Sequence, residues 1–164
     1  ERGFFIERFK HSQFQEHNLP TDFLQDNHSK SSPGVIRGLH YQHDKPQGKL
    51  VGCIHGEIFD VAVDIRKDSK TCGQYFGIKL DQKTLLWIPP GFAHGFCALG
   101  KEPAHLYYKI TGSEYNAQGE GGILFDDPDI NIKWPMGNSL EKTVISARDQ
   151  EQQSFKEYLK NPKF

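Results

Sequence analysis

Glu57-Ile58-Phe59-Asp60-Val61-Ala62-Val63-Asp64-Ile65 alternates with the two-residue period of a β-strand. Phe59, Val61, Val63 and Ile65 share one face, while Ile58, Asp60, Ala62 and Asp64 share the other. One face reads as core and the other as mixed. Short alternations of the same kind recur at Phe4–Phe9, Phe23–Asn27, Val35–Gln42, Lys49–Ile54, Tyr75–Leu80, Phe92–Leu99 and Leu106–Thr111, with Gly and Pro between them. Many short strands separated by turns predict an all-β sandwich or barrel. Helix signals are confined to the end, where Ser146-Ala147-Arg148-Asp149 has the form of a capping box ahead of a helix over Gln150–Lys160. The stretch Gln118-Gly119-Glu120-Gly121-Gly122 reads as a loop. It lacks the strand-before, helix-after setting of a dinucleotide fingerprint, so a Rossmann fold is rejected.

The 164 residues fit one domain over 1–164, long enough to bury a sizeable core. With 20 basic and 21 acidic side chains the net charge is −1, so no overall field attracts nucleic acid or an anionic membrane. An anionic ligand would need a local cluster. Cys53, Cys72 and Cys97 are widely spaced and in no CxxC pattern, which argues against a disulfide framework or a zinc site and fits a reducing cytoplasm. No apolar run reaches membrane-span length and the first residues are not a signal peptide. Because the chain begins with Glu1, a truncated N-terminal strand is expected.

Candidate chemistry gathers around His40 in Arg37-Gly38-Leu39-His40-Tyr41-Gln42, with Lys49 downstream and Tyr108-Lys109 further on. Removing a proton beside a ketone needs a base that is neutral at physiological pH, a fixed cation for the charge that develops on oxygen, and an acid to return the proton. Imidazole, ammonium and phenol supply the three. A hydrogen-bonded strand histidine and a packed core tyrosine are the plainer alternatives. Alternation places Leu106, Tyr108 and Ile110 on one apolar face, which would aim the phenol inward. In Ile88-Pro89-Pro90-Gly91-Phe92-Ala93-His94-Gly95-Phe96, the turn sends Phe92, His94 and Phe96 to a common face. Strict alternation would put Arg37 and His40 on opposite faces unless Gly38 permits a bulge.

That Pro-x-Gly-x-x-His element resembles the second motif of the cupin superfamily, which implies a jelly roll. Where many cupins carry a metal-binding His-x-His, this chain reads His40-Tyr41-Gln42-His43, and alternation separates the two histidines. No catalytic metal is expected. A closer resemblance is carried by Arg2-Gly3-Phe4-Phe5-x-Glu7, Gln25-x-Asn27, Arg37-Gly38-Leu39-His40, Gln47-Gly48-Lys49, Phe59 to Arg66 and Trp87-Ile88-Pro89. Gly91 to Phe96, Tyr108-Lys109 and Ser146 to Asp149 continue it to the end of the chain. In these stretches the sequence resembles the dTDP-4-dehydrorhamnose 3,5-epimerase family.

The resemblance implies cofactor-free inversion of C3 and C5 of dTDP-4-keto-6-deoxyglucose on the route to dTDP-L-rhamnose. It implies His40 as general base oriented by Asp149, Tyr108 as general acid on the opposite sugar face, and Lys49 beside the enolate oxygen. For Asp149 a bare capping carboxylate is the alternative. Tyr115 matches the aromatic that stacks on thymine, at a spacing one residue longer than usual. Arg2, Arg37 and Arg148 match contacts to the diphosphate and nucleoside. Glu7, Gln25, Asn27, His94 and Glu120 match the remaining polar contacts. Family members are homodimers exchanging N-terminal strands, which would bring Arg2 and Glu7 to the partner's site. A relative inverting C3 or C5 alone, a nonenzymatic nucleotide-sugar-binding cupin and a metal-dependent cupin are the competing expectations.

Overall fold

In the computed structural model, which describes residues 2–135 and 143–164, the chain opens with an irregular stretch and the short helix α1 (His11–Glu16). Eight strands follow: β1 (Gln25–Ser31), β2 (Ile36–Gln42), β3 (Gly48–His55), β4 (Glu57–Asp64), β5 (Tyr75–Leu80), β6 (Leu85–Ile88), β7 (Phe92–Leu99) and β8 (Ala104–Thr111). A 3₁₀ turn at Ala117–Gly119 leads into β9 (Glu120–Gly122), and α2 (Ala147–Gln150) and α3 (Phe155–Tyr158) end the described structure. The strands form two antiparallel sheets, ordered β1-β8-β3-β6 and β5-β4-β7-β2-β9. These are the two layers of a cupin-type jelly roll, as expected.

Strand β4 explains the layering. Its apolar face, Val61, Val63 and Ile65, packs not between the sheets but outward, against Leu39, Tyr41, Ile123, Ile130, Phe155 and Tyr158. The mixed face points into the sandwich, where Ile58 and Ala62 join Val51, Leu80, Phe96 and Leu106. Both faces are therefore buried, and Asp60 is enclosed among them. Each fully buried valine or isoleucine contributes roughly 1.5–3 kcal/mol, so the C-terminal segment that covers the outer face is part of the core.

Several expectations need correction. Residues 4–9 form no strand, and Phe4 and Phe5 are 60% and 98% exposed. Instead Phe9 meets Phe14 of α1 and Phe23 edge-on, with ring centroids 4.8 and 5.7 Å away. Helix α1 itself went unpredicted because its N-cap, Lys10, makes no side-chain cap and the helix buries no residue. The expected helix over Gln150–Lys160 is two four-residue helices. Ser154 starts a second helix with a complete capping box to Glu157, so a new N-terminus interrupts the first. Strand β6, Leu-Leu-Trp-Ile, has no alternation to betray it.

Strand β9, expected as loop, pairs with β2 through its backbone. Gly121 answers to crowding, since a Cβ there would lie 2.4 Å from the ring of the buried Tyr41, while one on Gly122 would meet only the movable tip of Gln152. On β2 the register with β7 slips between Arg37 and His40, which is the bulge that Gly38 was expected to permit. Gly38 has φ +115°, and a Cβ there would lie 2.6 Å from both Gly95 Cα and the His94 carbonyl oxygen. Backbone cannot retreat as a side-chain tip can. Gly38→Ala is expected to destabilise the fold by about 2–4 kcal/mol, measured by urea unfolding, because it combines an unfavourable φ with overlap against the neighbouring strand.

Candidate active site

The bulge at Gly38 turns Arg37 and His40 toward the same space, a pocket of about 450 Å³ between the two sheets. That volume suits a small organic ligand. The five-stranded sheet presents His40 from β2, His94 from β7 and Glu120 from β9. From the four-stranded sheet come Asn27 on β1, Lys49 on β3 and Tyr108 on β8. Leu106, Tyr108 and Ile110 line one wall together, as their alternation predicts. Tyr115 and the α2 residues Arg148 and Asp149 complete the rim.

His40 is held by Asp149: Nε2 lies 2.6 Å from Oδ1, and a carboxylate can only accept, so Nε2 carries the proton. Nδ1 is thereby the basic nitrogen, and it faces Glu120 Oε1 at 4.0 Å. Asp149 is the N3 residue of α2, yet its carboxylate does not complete a capping box. Ser146 Oγ accepts from the Asp149 backbone N–H at 3.1 Å, while the carboxylate turns to His40 and to the Gly38 N–H at 3.3 Å. The helix cap thus aims the carboxylate at the imidazole. Burial opposes ionisation of Asp149, but the bond to His40, its charge, and the Gly38 and Ser146 donors outweigh it and hold the carboxyl below its ordinary range.

Opposite, burial pushes the Tyr108 phenol above its ordinary value, with the Glu120 charge in the same sense and a hydrogen bond to Asn27 acting against both. The phenol therefore stays protonated. A chain of bonds fixes it: the Tyr115 N–H donates to Gln25 Oε1 at 2.8 Å, Gln25 Nε2 donates to Asn27 Oδ1 at 2.9 Å, and Asn27 meets Tyr108. Gln25 itself stands behind the pocket wall. Burial pulls the Lys49 ammonium below its ordinary value, and the Glu120 and Asp60 charges act in the opposite direction. At the mouth, Glu120 Oε2 accepts from Arg148 at 2.5 Å and from the Tyr115 hydroxyl at 2.8 Å.

Of the residues singled out in the sequence, the pocket unites His40, Lys49, Tyr108, Asp149, Asn27, Arg37, His94, Tyr115, Glu120 and Arg148. Gln25 supports it from behind, while Arg2 and Glu7 are exposed and do not line the pocket of their own chain. His43 also lies outside the lining. Among the described residues no group of three or more His, Cys, Asp or Glu side chains is arranged to hold a metal ion. Sequence reasoning missed Asp60, whose two oxygens each lie 3.0 Å from His94 Nε2. The signal available was an acidic residue on an otherwise apolar strand face.

A carboxylate-held imidazole on one sheet and a protonated phenol on the other, facing one pocket, have the chemistry to move a carbon-bound proton, as sugar epimerases do. The chain belongs to the dTDP-4-dehydrorhamnose 3,5-epimerase family, whose sequence pattern matches residues 1–157. It is 52% identical over 159 residues to the dTDP-4-dehydrorhamnose 3,5-epimerase of Shigella flexneri, covering 94% of this chain and 84% of that one. Identity to the enzyme of that name from Methanothermobacter thermautotrophicus is 48% over 164 residues, covering 99% and 85%. The crystal structure of dTDP-6-deoxy-D-glucose-3,5-epimerase from Legionella pneumophila in complex with dTDP-4-keto-L-rhamnose superposes with a TM-score of 0.88 at 43% identity, covering 95% of this chain and 82% of that one.

The depressed Asp149 carboxyl has a pH consequence. A carboxyl whose folded value lies below its unfolded one adds stability above the unfolded value, and this is lost as pH falls through the folded value. Asp149→Asn is therefore expected to flatten the decline in unfolding free energy on acidification below the ordinary aspartate range, read from urea melts at a series of pH values.

Proposed function

We propose that the protein inverts C3 and C5 of dTDP-4-dehydro-6-deoxy-D-glucose to give dTDP-4-dehydro-L-rhamnose, without a cofactor, in the biosynthesis of dTDP-L-rhamnose. The observation that carries the reading is the pairing of the His40–Asp149 dyad with Tyr108 across one pocket of a family member. Both carbons are alpha to the C4 ketone, so one enolate-stabilising site serves both. His40 Nδ1 takes the carbon-bound proton, the C–H electron pair passes toward the C4 oxygen, and Lys49 faces the charge that develops there. Tyr108 then delivers its hydroxyl proton to the same carbon from the opposite face of the ring as the electrons return, which inverts the centre. Asp149 stabilises the imidazolium formed in the first step.

Arg37 and Arg148 supply guanidinium donors suited to a diphosphate, and the half-exposed Tyr115 ring offers a stacking surface for the base. On this reading Arg148 exchanges Glu120 for a phosphate oxygen when substrate enters. His94, Asn27, Gln25 and Glu120 position the sugar and its acid. Arg2 and Glu7 complete the site of a second copy of the chain in a homodimer. The adjacent exposed Phe4 and Phe5 support that assembly, since together they form an apolar surface that a second copy would cover.

The test is turnover in deuterated water with the product trapped by a dTDP-sugar reductase and NADPH. Two labelled carbons in dTDP-L-rhamnose are expected, and a single labelled carbon would reject the double inversion in favour of a C3 or C5 epimerase. His40→Ala is expected to lower both exchange and turnover by about 10²–10⁴-fold. Tyr108→Phe should depress turnover more than exchange, because abstraction survives when stereoinverting return does not. Sedimentation equilibrium should give twice the chain mass.

A further inference from the structure

His94 of the pocket lining belongs to a second histidine–carboxylate pair that the proton-transfer scheme leaves without a part. His94 on β7 stands directly opposite His40 in the β2–β7 register, and its Nε2 lies 3.0 Å from each oxygen of Asp60. Asp60 is 0% exposed and does not line the pocket. A carboxylate so enclosed is costly unless matched by opposite charge and hydrogen bonds, and a hydrophobic residue of the same size would suit the strand better. We infer that Asp60 is a positioning residue for the electron-accepting end of the pocket: from behind the wall it fixes His94 with Nε2 protonated, and it keeps the Lys49 ammonium charged without touching substrate. The inference rests on the proposed epimerase reading only for the part Lys49 plays in turnover.

Lys49 reaches the pocket from β3, on the sheet facing Asp60, flanked by Ile88 and Ile110. The ionisable groups around it are Asp60 on β4, Glu120 on β9, His94 on β7, His40 and Arg37 on β2, and Tyr108 on β8. Asp60 and Glu120 are the two whose charge favours the ammonium. Glu120 is already bonded to Arg148 and Tyr115 at the mouth and faces His40 as well. Its charge is thus shared among partners. Asp60, enclosed and fixed, is the anion whose field is least screened by water.

The test uses the full chain with Asp60→Asn, which keeps the side-chain shape and removes the charge. The Lys49 titration is followed by ¹³C NMR, with its resonance assigned through Lys49→Arg, and thermal melting checks the fold. Loss of the Asp60 charge is expected to bring Lys49 deprotonation to lower pH by about one unit or more. The alkaline limb of kcat should move in the same direction, with kcat lowered on the order of 100-fold and KM changed little, the pattern of a lost transition-state interaction. In Lys49→Arg the alkaline limb should no longer respond to Asp60→Asn, because a guanidinium does not deprotonate in this range. A folded Asp60→Asn protein whose Lys49 titrates as in the wild type overturns the inference. If the variant does not fold, the wild type decides: Lys49 neutral at the pH of turnover overturns the inference, and Lys49 cationic there supports it. A displaced Lys49 titration with unchanged kcat supports the Asp60 coupling and instead overturns the role of Lys49 in the reaction.

Discussion

The approach of two backbones at Gly38 and Gly95 is the constraint on which the site depends. Strand β2 has to bring a guanidinium and an imidazole, three positions apart, onto one face of a sheet whose side chains alternate every two. An additional residue at the bulge corrects the phase, and the correction is possible only where neither strand carries a Cβ: a Cβ on Gly38 would lie 2.6 Å from Gly95 Cα, and one on Gly95 2.8 Å from the Arg37 carbonyl oxygen. The same deviation frees the Gly38 N–H from the sheet ladder and offers it to Asp149 at 3.3 Å. One irregularity therefore turns the His40 imidazole into the pocket and also supplies a donor to the carboxylate that orients it.

Electrostatics follow from where the carboxylates are placed. Asp149 and Glu120 at the pocket, and Asp60 enclosed beyond its lining, lie on the side of the five-stranded sheet, and each has a cationic or ionisable nitrogen in hydrogen-bond range. Enclosure raises the cost of every one of these charges, and the pairs offset it. The facing sheet contributes Lys49 and Tyr108, whose protonation burial shifts in opposite directions relative to charge: the ammonium is made easier to neutralise and the phenol harder to ionise. The anionic wall opposite favours the proton on both. A single distribution of charge thus opposes the effect of burial on the lysine and adds to it on the tyrosine.

Much of this was legible in the sequence because period-two alternation reports side-chain direction. Strands β4, β5, β7 and β8 lie where their apolar patterns put them, and Leu106, Tyr108 and Ile110 share the pocket wall as alternation requires. The phase of β2 was not legible from alternation, since a bulge is invisible to a periodic rule; Gly38 only marked where one could be accommodated. Strand β9 was hidden for a related reason. Its pairing with β2 uses backbone groups alone, and Gly121 answers to Tyr41, a residue distant in sequence. The break between α2 and α3 was written in Ser154 and Glu157, but a continuous helical reading passed over a second cap. Asp60 was read as the polar half of a mixed face, because which face of β4 lies inside the sandwich depends on what the C-terminal segment covers.

That last point has a mechanistic side. The outer face of the five-stranded sheet is closed by the segment that carries α2, and it is α2 that delivers Asp149 to His40. The packing of Phe155 and Tyr158 against Val61, Val63 and Ile65 is therefore linked to the orientation of the His40 imidazole through only the five residues between Asp149 and Phe155. Along that stretch the Ile123–Gln153 bridge and the Gln153 bond to the Tyr41 hydroxyl at 3.0 Å pin the chain to the sheet. The imidazole is thus held between the β2 bulge on one side and, on the other, a helix cap whose following segment packs in the core. Hydrophobic packing remote from the pocket therefore shares in setting the orientation of the imidazole, alongside the residues that line it.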